Sequence, residues 1–372
     1  MRGAPAGARA RPISRSVEIP IVALKTSMGM GALKHTGFVV WCTGIAACIG
    51  LSAWSGIDAV GNAVASVGWG VPFVVLTRAA AVSVAGAGWW LLFPASARLR
   101  LRAAVLLRFV REAVNTLLPL TQVGGEIIGA RLLTFWVVPG PLAAASIITD
   151  VLMQAATQLL FAALGLVTLV ALGMDMNLVV IAATGLAIAA PMMGGFYLAQ
   201  GESGQRIVHL VLVRLKGDGK WRVLGTVDAV YQSLAMIYAR RSNLVASSLV
   251  HMIGWLIGVM EVLIALGCMG HTVTIGQAIV IESLTQAVRG AAFAIPSALG
   301  AQEAGLILLC GVFGIPSDQA VALSLIKRAA DLVVGVPGLV ALQILEGERL
   351  TANCSRHEGQ LRVSLELHSE GH

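Results

Sequence analysis

Six uninterrupted apolar runs, at about 36–54, 70–93, 142–172, 178–199, 244–268 and 319–345, alternate with polar stretches along the chain. Each is long enough to cross a hydrocarbon core of ~30 Å as a helix rising ~1.5 Å per residue. The third exceeds what a crossing needs, so it is expected to tilt or protrude. Two further stretches, around 112–133 and 277–310, are apolar but interrupted by Pro and Gly. Broken backbone is tolerated at membrane depth where it lines a protein cavity. The expected fold is an all-α polytopic membrane protein with about six full transmembrane helices plus two re-entrant or broken helical segments. Residues 1–34 and 346–372 read as polar tails around one membrane domain at 35–345. The pattern changes at 206–241, where Val223, Leu224, Val227, Val230, Tyr231, Leu234 and Ile237 follow helical spacing with Arg222, Asp228 and Gln232 between them. That predicts an amphipathic helix on the cytoplasmic surface. A helix packed over the inner mouth of the bundle is the alternative.

The two broken stretches match each other. Arg111–Leu133 reads REAVNTLLPLTQVGGEIIGARLL and Arg289–Leu309 reads RGAAFAIPSALGAQEAGLILL. In each, Arg precedes a small or apolar run, then Pro, then Glu seven residues on: Pro119/Glu126 and Pro296/Glu303. The correspondence runs on into AASIITD (Ala144–Asp150) and ALSLIKR (Ala322–Arg328), at a steady offset of 177 or 178 residues. Register held over about forty residues points to an internal duplication, with copies around 111–150 and 289–328. Three full spans separate the copies, and an odd number sets the second upside down relative to the first. Inverted repeats whose broken helices meet near the bilayer midplane are a transporter signature.

Composition agrees with a membrane domain: 57% of residues are hydrophobic and 12% charged, against about 25% charged in soluble domains. A net charge of +7 would suggest nucleic acid as a partner for a soluble chain. Here its distribution has a simpler cause, and no nucleic-acid partner is expected. Of 26 Lys and Arg, six precede residue 35, five lie in 98–111, seven in 206–241 and three follow 345. The loops at 55–69, 173–177 and 269–276 hold none. By the positive-inside rule both termini are cytoplasmic and those three loops lie outside. This requires the two broken stretches to enter and leave on one side each, or to cross as paired half-helices. Cys42, Cys48, Cys268, Cys310 and Cys354 form no C-x-x-C, so neither a disulfide framework nor a zinc site is supported. No P-loop, G-x-S-x-G or H-E-x-x-H occurs, and no cofactor or metal is expected.

Ionisable groups inside apolar segments cost roughly 2.5–3.5 kcal/mol each on insertion scales, so they must face a cavity or one another. They are Glu126, Asp150, Glu261, Glu282, Glu303 and Asp331 against Arg78, Arg131, Arg289, Lys327 and Arg328. Structural pairs are expected within helices: Glu282 with Arg289 two turns on, and Asp331 with Lys327 and Arg328 at i−4 and i−3. Asp150, Gln154 and Gln158 form a polar stripe at four-residue spacing. Arg328 holds the place of Asp150 in the other copy, so these opposite charges are expected to meet across the central axis. Glu126 and Glu303 each begin a half-helix whose amides point positive. With no base obviously neutralising both, they are candidates for receiving a head group or exchanging a proton, and a capping role is the competing reading. His251, alone in its span, reads as hydrogen-bonded structure.

On REAVNTLLPLTQVGGEIIGARLL and on IPSALGAQEAGLILLCGVFGI with ALSLIKRAADLVVGVPGL, the chain resembles the flippase-like family. That family's transmembrane domain is also found in lysylphosphatidylglycerol synthases, and the similarity is strongest to a subgroup associated with hopanoid biosynthesis. The resemblance covers roughly residues 35–345. It implies a bacterial inner-membrane protein that moves a lipid between leaflets, with a hopanoid as cargo and hopanoid-biosynthesis proteins as partners. The bifunctional synthases carry a soluble aminoacyl-transferase domain after the membrane part, and 346–372 is too short for one, so lysyl transfer is not expected. An enzyme is therefore the lesser expectation. The rival readings are a membrane-embedded lipid-modifying enzyme with Glu126 or Glu303 as general base, and a scaffold docking hopanoid enzymes on 206–241.

Overall fold

The computed structural model describes residues 57–97, 99–117, 123–136, 138–174, 176–214, 220–292 and 295–369. The expected span at 36–54, the stretch 1–34 and Pro119 lie outside them. Among the described residues there are twelve α-helices, three short 3-10 turns and no strand. The helices are α1 (Ile57–Val67), α2 (Gly70–Leu91), α3 (Leu101–Leu117), α4 (Gly124–Leu133), α5 (Gly140–Ala171) and α6 (Met176–Leu198). They continue as α7 (Glu202–Arg214), α8 (Lys220–Tyr238), α9 (Arg241–Cys268), α10 (Ile275–Ala291), α11 (Ala301–Val312) and α12 (Ser317–Ser369).

Five of these, α2, α5, α6, α9 and the Ser317–Glu348 part of α12, are long and apolar enough to cross a membrane. They coincide with the five apolar runs that fall on described residues. The protein is a polytopic all-α membrane protein. At 32 residues α5 is about 48 Å long, well beyond the hydrocarbon core. Helix α6 has no buried residue among its 23, so it lines the outside of the bundle. Large apolar side chains such as Phe73, Leu164, Leu256 and Val336 also point outward, as lipid-facing surface requires.

Chain order repeats itself: the succession α2–α3–α4–α5 recurs as α9–α10–α11–α12. Helices α3 and α10 have 17 residues each, and the short helices after them have 10 and 12. Equivalent helices α2 and α9 lie antiparallel. Asn243 Nδ2 donates to the Leu91 carbonyl at 2.7 Å at one end, and Gly70 abuts Cys268 at the other. The long helix of each succession then runs antiparallel along the lead helix of the other's broken pair. Along α5 and α10, Gln158 meets Gln286, Gly165 meets Ser283, and Thr168 meets Gly276. Along α12 and α3, Gly335 meets Leu117 and Gly338 meets the Phe109 carbonyl. Glycine at these crossings lets backbones approach closely, which is how helices associate where lipid offers no hydrophobic gain.

The turns sort to two ends. Arg240 donates to the Phe93 carbonyl at 2.9 Å, and Phe93, Leu99, Leu133, Val138 and Tyr238 pack in one cluster at the first end. Met174, Val273, Phe313 and Ile315 pack on one core cluster at the other end. Hence α3–α4 begins and finishes at the first end and α10–α11 at the second, the first of the two arrangements expected for the broken stretches.

Residues 202–214 and 220–238 form the helices α7 and α8. Leu234 and Ile237 of α8 are buried, in the cluster with Trp89, Leu107, Leu132 and Ile147, so α8 packs on the bundle over α5. Hydrogen bonds from Gln205 (2.9 Å) and His209 (2.6 Å) tie α7 to Asp228 and hold its carboxyl below the usual carboxylate range. Helix α12 continues through the polar stretch after residue 345 as far as Ser369.

Candidate functional site

A cavity of about 440 Å³ opens where the two successions meet. Helix α2 contributes Arg78, α3 contributes Arg108 and Glu112, and α4 contributes Glu126. Gln154 and Gln158 come from α5, His251 and Glu261 from α9, and Glu282, Gln286 and Arg289 from α10. Both breaks border it, through Asn115, Thr116 and Val123 on one side and Ser297 on the other. Ser297 and Ala298 have left-handed backbone, φ 54° and 48°, which costs about 1–2 kcal/mol per residue. Ser297 is held there by its Oγ, which donates to the Thr116 carbonyl at 2.5 Å, and by Arg328 Nη1, which donates to the Ser297 carbonyl at 3.3 Å. The second break is thus bolted to the end of α3.

Arg111 organises the first copy. Its side chain is 1% exposed. Nε donates to Glu126 Oε2 at 2.7 Å and Nη1 to Asp150 Oδ2 at 2.8 Å, while the guanidinium lies 4.6 Å from the Trp89 ring centre. Asp150 is fully buried and also contacts Arg108 at 3.3 Å, Gln154 at 2.8 Å and His251 at 3.0 Å. One turn beyond Arg111, Asn115 caps α4: its Oδ1 accepts from the Gly125 amide at 2.7 Å, and its Nδ2 reaches Glu126 at 3.3 Å.

The second copy solves the same problem with a different helix. Arg328 of α12, not Arg289 of α10, binds Glu303, with Nε at 2.6 Å and Nη2 at 3.1 Å in a bidentate grip. Glu303 also accepts from Ser324 Oγ and the Gly300 amide, both at 2.8 Å. It is fully buried and does not border the cavity. Two more groups complete the centre. Lys327 Nζ lies 2.6 Å from Glu261 and 3.0 Å from Glu282, which also accepts from Gln286 at 2.7 Å. Arg78 bridges Glu112 (2.7 Å) and Asp331 (2.5 Å), with Arg289 3.9 Å from Asp331.

Several sequence expectations need correction. Asp150 and Arg328 do not meet, because each is taken by a closer partner inside its own copy. Glu282 pairs with Lys327 rather than Arg289, and Asp331 with Arg78 and Arg289 rather than Lys327 or Arg328. Buried charges take the partner that reaches within about 3 Å, and here that partner stands on a neighbouring helix rather than one or two turns along. Nor are Glu126 and Glu303 unpaired. Of the residues expected to touch a ligand, Glu126, Gln154 and Gln158 border the cavity, and Asp150, Glu303 and Arg328 stand behind its walls. Arg108 and Glu112 were missed, as parts of a basic loop and a repeat start. Their spacing with Arg111 and Asn115, positions i, i+3, i+4 and i+7, marks one helix face.

Among known families, the sequence model for the lysylphosphatidylglycerol synthase transmembrane region matches residues 40–338. No curated protein and no solved structure matches the chain. The matched range takes in every element that borders the cavity.

Proposed function

We propose, since the chain belongs to the lysylphosphatidylglycerol synthase transmembrane-region family, that it carries a lipid head group across the bacterial inner membrane through the central cavity. In this reading the two successions are an inverted repeat, supported by the antiparallel α2 and α9 and by the reciprocal packing of α5 on α10 and α12 on α3. Both termini are cytoplasmic, as Arg98, Arg100 and Arg102 and the basic residues at 206–241 suggest. A polar head enters between the helices while the apolar body stays in the bilayer. Glu126, Gln154, Gln158 and Gln286 replace its hydration, which matters because unpaired polar groups in hydrocarbon are costly. The resemblance to the hopanoid-associated subgroup makes a hopanoid the cargo and the enzymes that make hopanoids the partners. The protein is then a flippase and not an enzyme.

The observation that carries this reading is the cavity itself, about 440 Å³ of space bordered by both chain breaks and lined by polar and apolar side chains together. Its size suits a head group and not a whole lipid. The test is a leaflet-resolved assay in liposomes containing a hopanoid with a polar side chain, with and without purified protein. Faster redistribution between leaflets with protein is expected. Equal rates with and without protein refute the flippase reading.

A further inference from the structure

The charges around the cavity do not balance, and the imbalance sits in one place. Glu112, Glu126, Asp150 and Asp331 are matched by Arg78, Arg108, Arg111 and Arg289, four carboxylates against four guanidiniums in one chain of contacts. That set is neutral as a whole, although Arg78 also acts on Glu261 and Lys327 on Asp331 from beyond ion-pair distance. What remains is Lys327 between Glu261 and Glu282, one ammonium for two carboxylates, with side chains 2–4% exposed. Both glutamates border the cavity. An unmatched charge buried this deeply is costly, and two carboxylates sharing one site do not both ionise readily.

We propose that Glu261, Glu282 and Lys327 form a proton-binding site, in which the two carboxylates share one proton taken from and returned to the cavity. No bond other than O–H forms or breaks, and the triad passes between neutral and singly negative. His251 lies on Asp150, within the balanced set. The other charged groups near the triad are already matched: Arg78 on α2, Glu112 on α3, Arg289 on α10 and Asp331 on α12 with one another, and Glu303 on α11 with Arg328. Position gives the site a consequence. Lys327 ties α12 to both α9 and α10, and a protonated carboxyl no longer attracts the ammonium as an anion does. Proton uptake at one glutamate therefore loosens one helix from α12 and leaves the other held. This is a way for a proton to bias the packing of the second copy, and it stands whether or not the cavity carries lipid.

Infrared difference spectroscopy on the full chain in lipid nanodiscs, titrated from neutral to alkaline pH, tests it. The expected spectrum has a C=O band of a buried carboxylic acid at neutral pH that is lost on the alkaline side. Glu261→Gln and Glu282→Gln should each abolish the band, because a single carboxylate facing a single ammonium is matched and stays ionised. His251→Gln should leave it, and Glu261→Asp and Glu282→Asp, which keep both acids, should retain it at a changed frequency. A wild-type titration without such a band overturns the proposal without any variant. So does a band that survives both glutamine substitutions or disappears with His251→Gln.

Discussion

Replacing Arg111 by Met keeps most of the alkyl packing and removes the charge on which the first copy is built. Two charge-assisted hydrogen bonds go, to Glu126 at 2.7 Å and Asp150 at 2.8 Å, each worth about 1.5–3 kcal/mol. The contact with Trp89 at 4.6 Å goes too, worth about 0.5–2 kcal/mol. Asp150 is not orphaned, since Arg108, Gln154 and His251 remain within 3.3 Å. The net cost should therefore lie near the lower end of the ~3–5 kcal/mol typical of breaking a buried pair. Asp150→Asn should cost less, because Arg111 keeps Glu126. The double variant should be more stable than the two singles predict, by at least about 1 kcal/mol. Equilibrium unfolding in mixed micelles with a denaturing detergent measures all three. A cost for Arg111→Met below about 1 kcal/mol, as at an exposed pair, or strict additivity in the double variant, refutes the reasoning.

The matched glutamates should separate by role. Glu303→Gln leaves Arg328 without its carboxylate and should reduce folded protein, by about 3–5 kcal/mol of stability. Glu126→Gln, at the cavity wall with a side chain 20% exposed, should fold normally and slow lipid movement at least ~10-fold, about 1.4 kcal/mol in the barrier. Wild-type rates in Glu126→Gln would remove it from the path. Exchanging Asp150 and Arg328 by the double substitution Asp150→Arg/Arg328→Asp should rescue neither single variant, as judged by membrane abundance, because the two never touch. Recovery in the double variant would contradict the observed pairing. Cysteines at Ala97 and Ser242 should react with an impermeant reagent from the cytoplasmic face, and cysteines at Trp69 and His271 from the opposite face. Labelling of Ala97 and Ser242 from different faces would end the inverted-repeat reading.

Apolar run length was enough to place α2, α5, α6, α9 and α12, because a buried or lipid-facing helix tolerates few interruptions and shows its ends. Pro and Glu at a fixed offset suggested a duplication, and the order of helices α2–α3–α4–α5 is matched by α9–α10–α11–α12. Helix α3 was harder. Arg108 and Arg111 made its start look like a basic loop, whereas both are buried, against Asp150 and Glu126. Charge on a membrane helix argues for a loop only until partners on other helices are known, and a single sequence does not reveal them. The same limit misled the pairing of Asp150 with Arg328. Equivalent positions in two copies need not touch, and here one copy draws its arginine from α3 and the other from α12. In the amphipathic pattern read at 223–237, Leu234 and Ile237 are buried against the bundle, and only the fold determines whether lipid or α5 covers such side chains.

The most direct test of the central claim is to fill the cavity and watch lipid movement. Ala155 borders it from α5, between Gln154 and Gln158, and Ala155→Trp puts an indole into the space without removing any charge pair. The measurement is the leaflet-resolved redistribution rate in liposomes for wild type and Ala155→Trp at equal folded protein. The expected result is rapid redistribution with wild type and a rate indistinguishable from protein-free liposomes with the variant. Equal rates for the two proteins would show that the head group does not pass through this cavity.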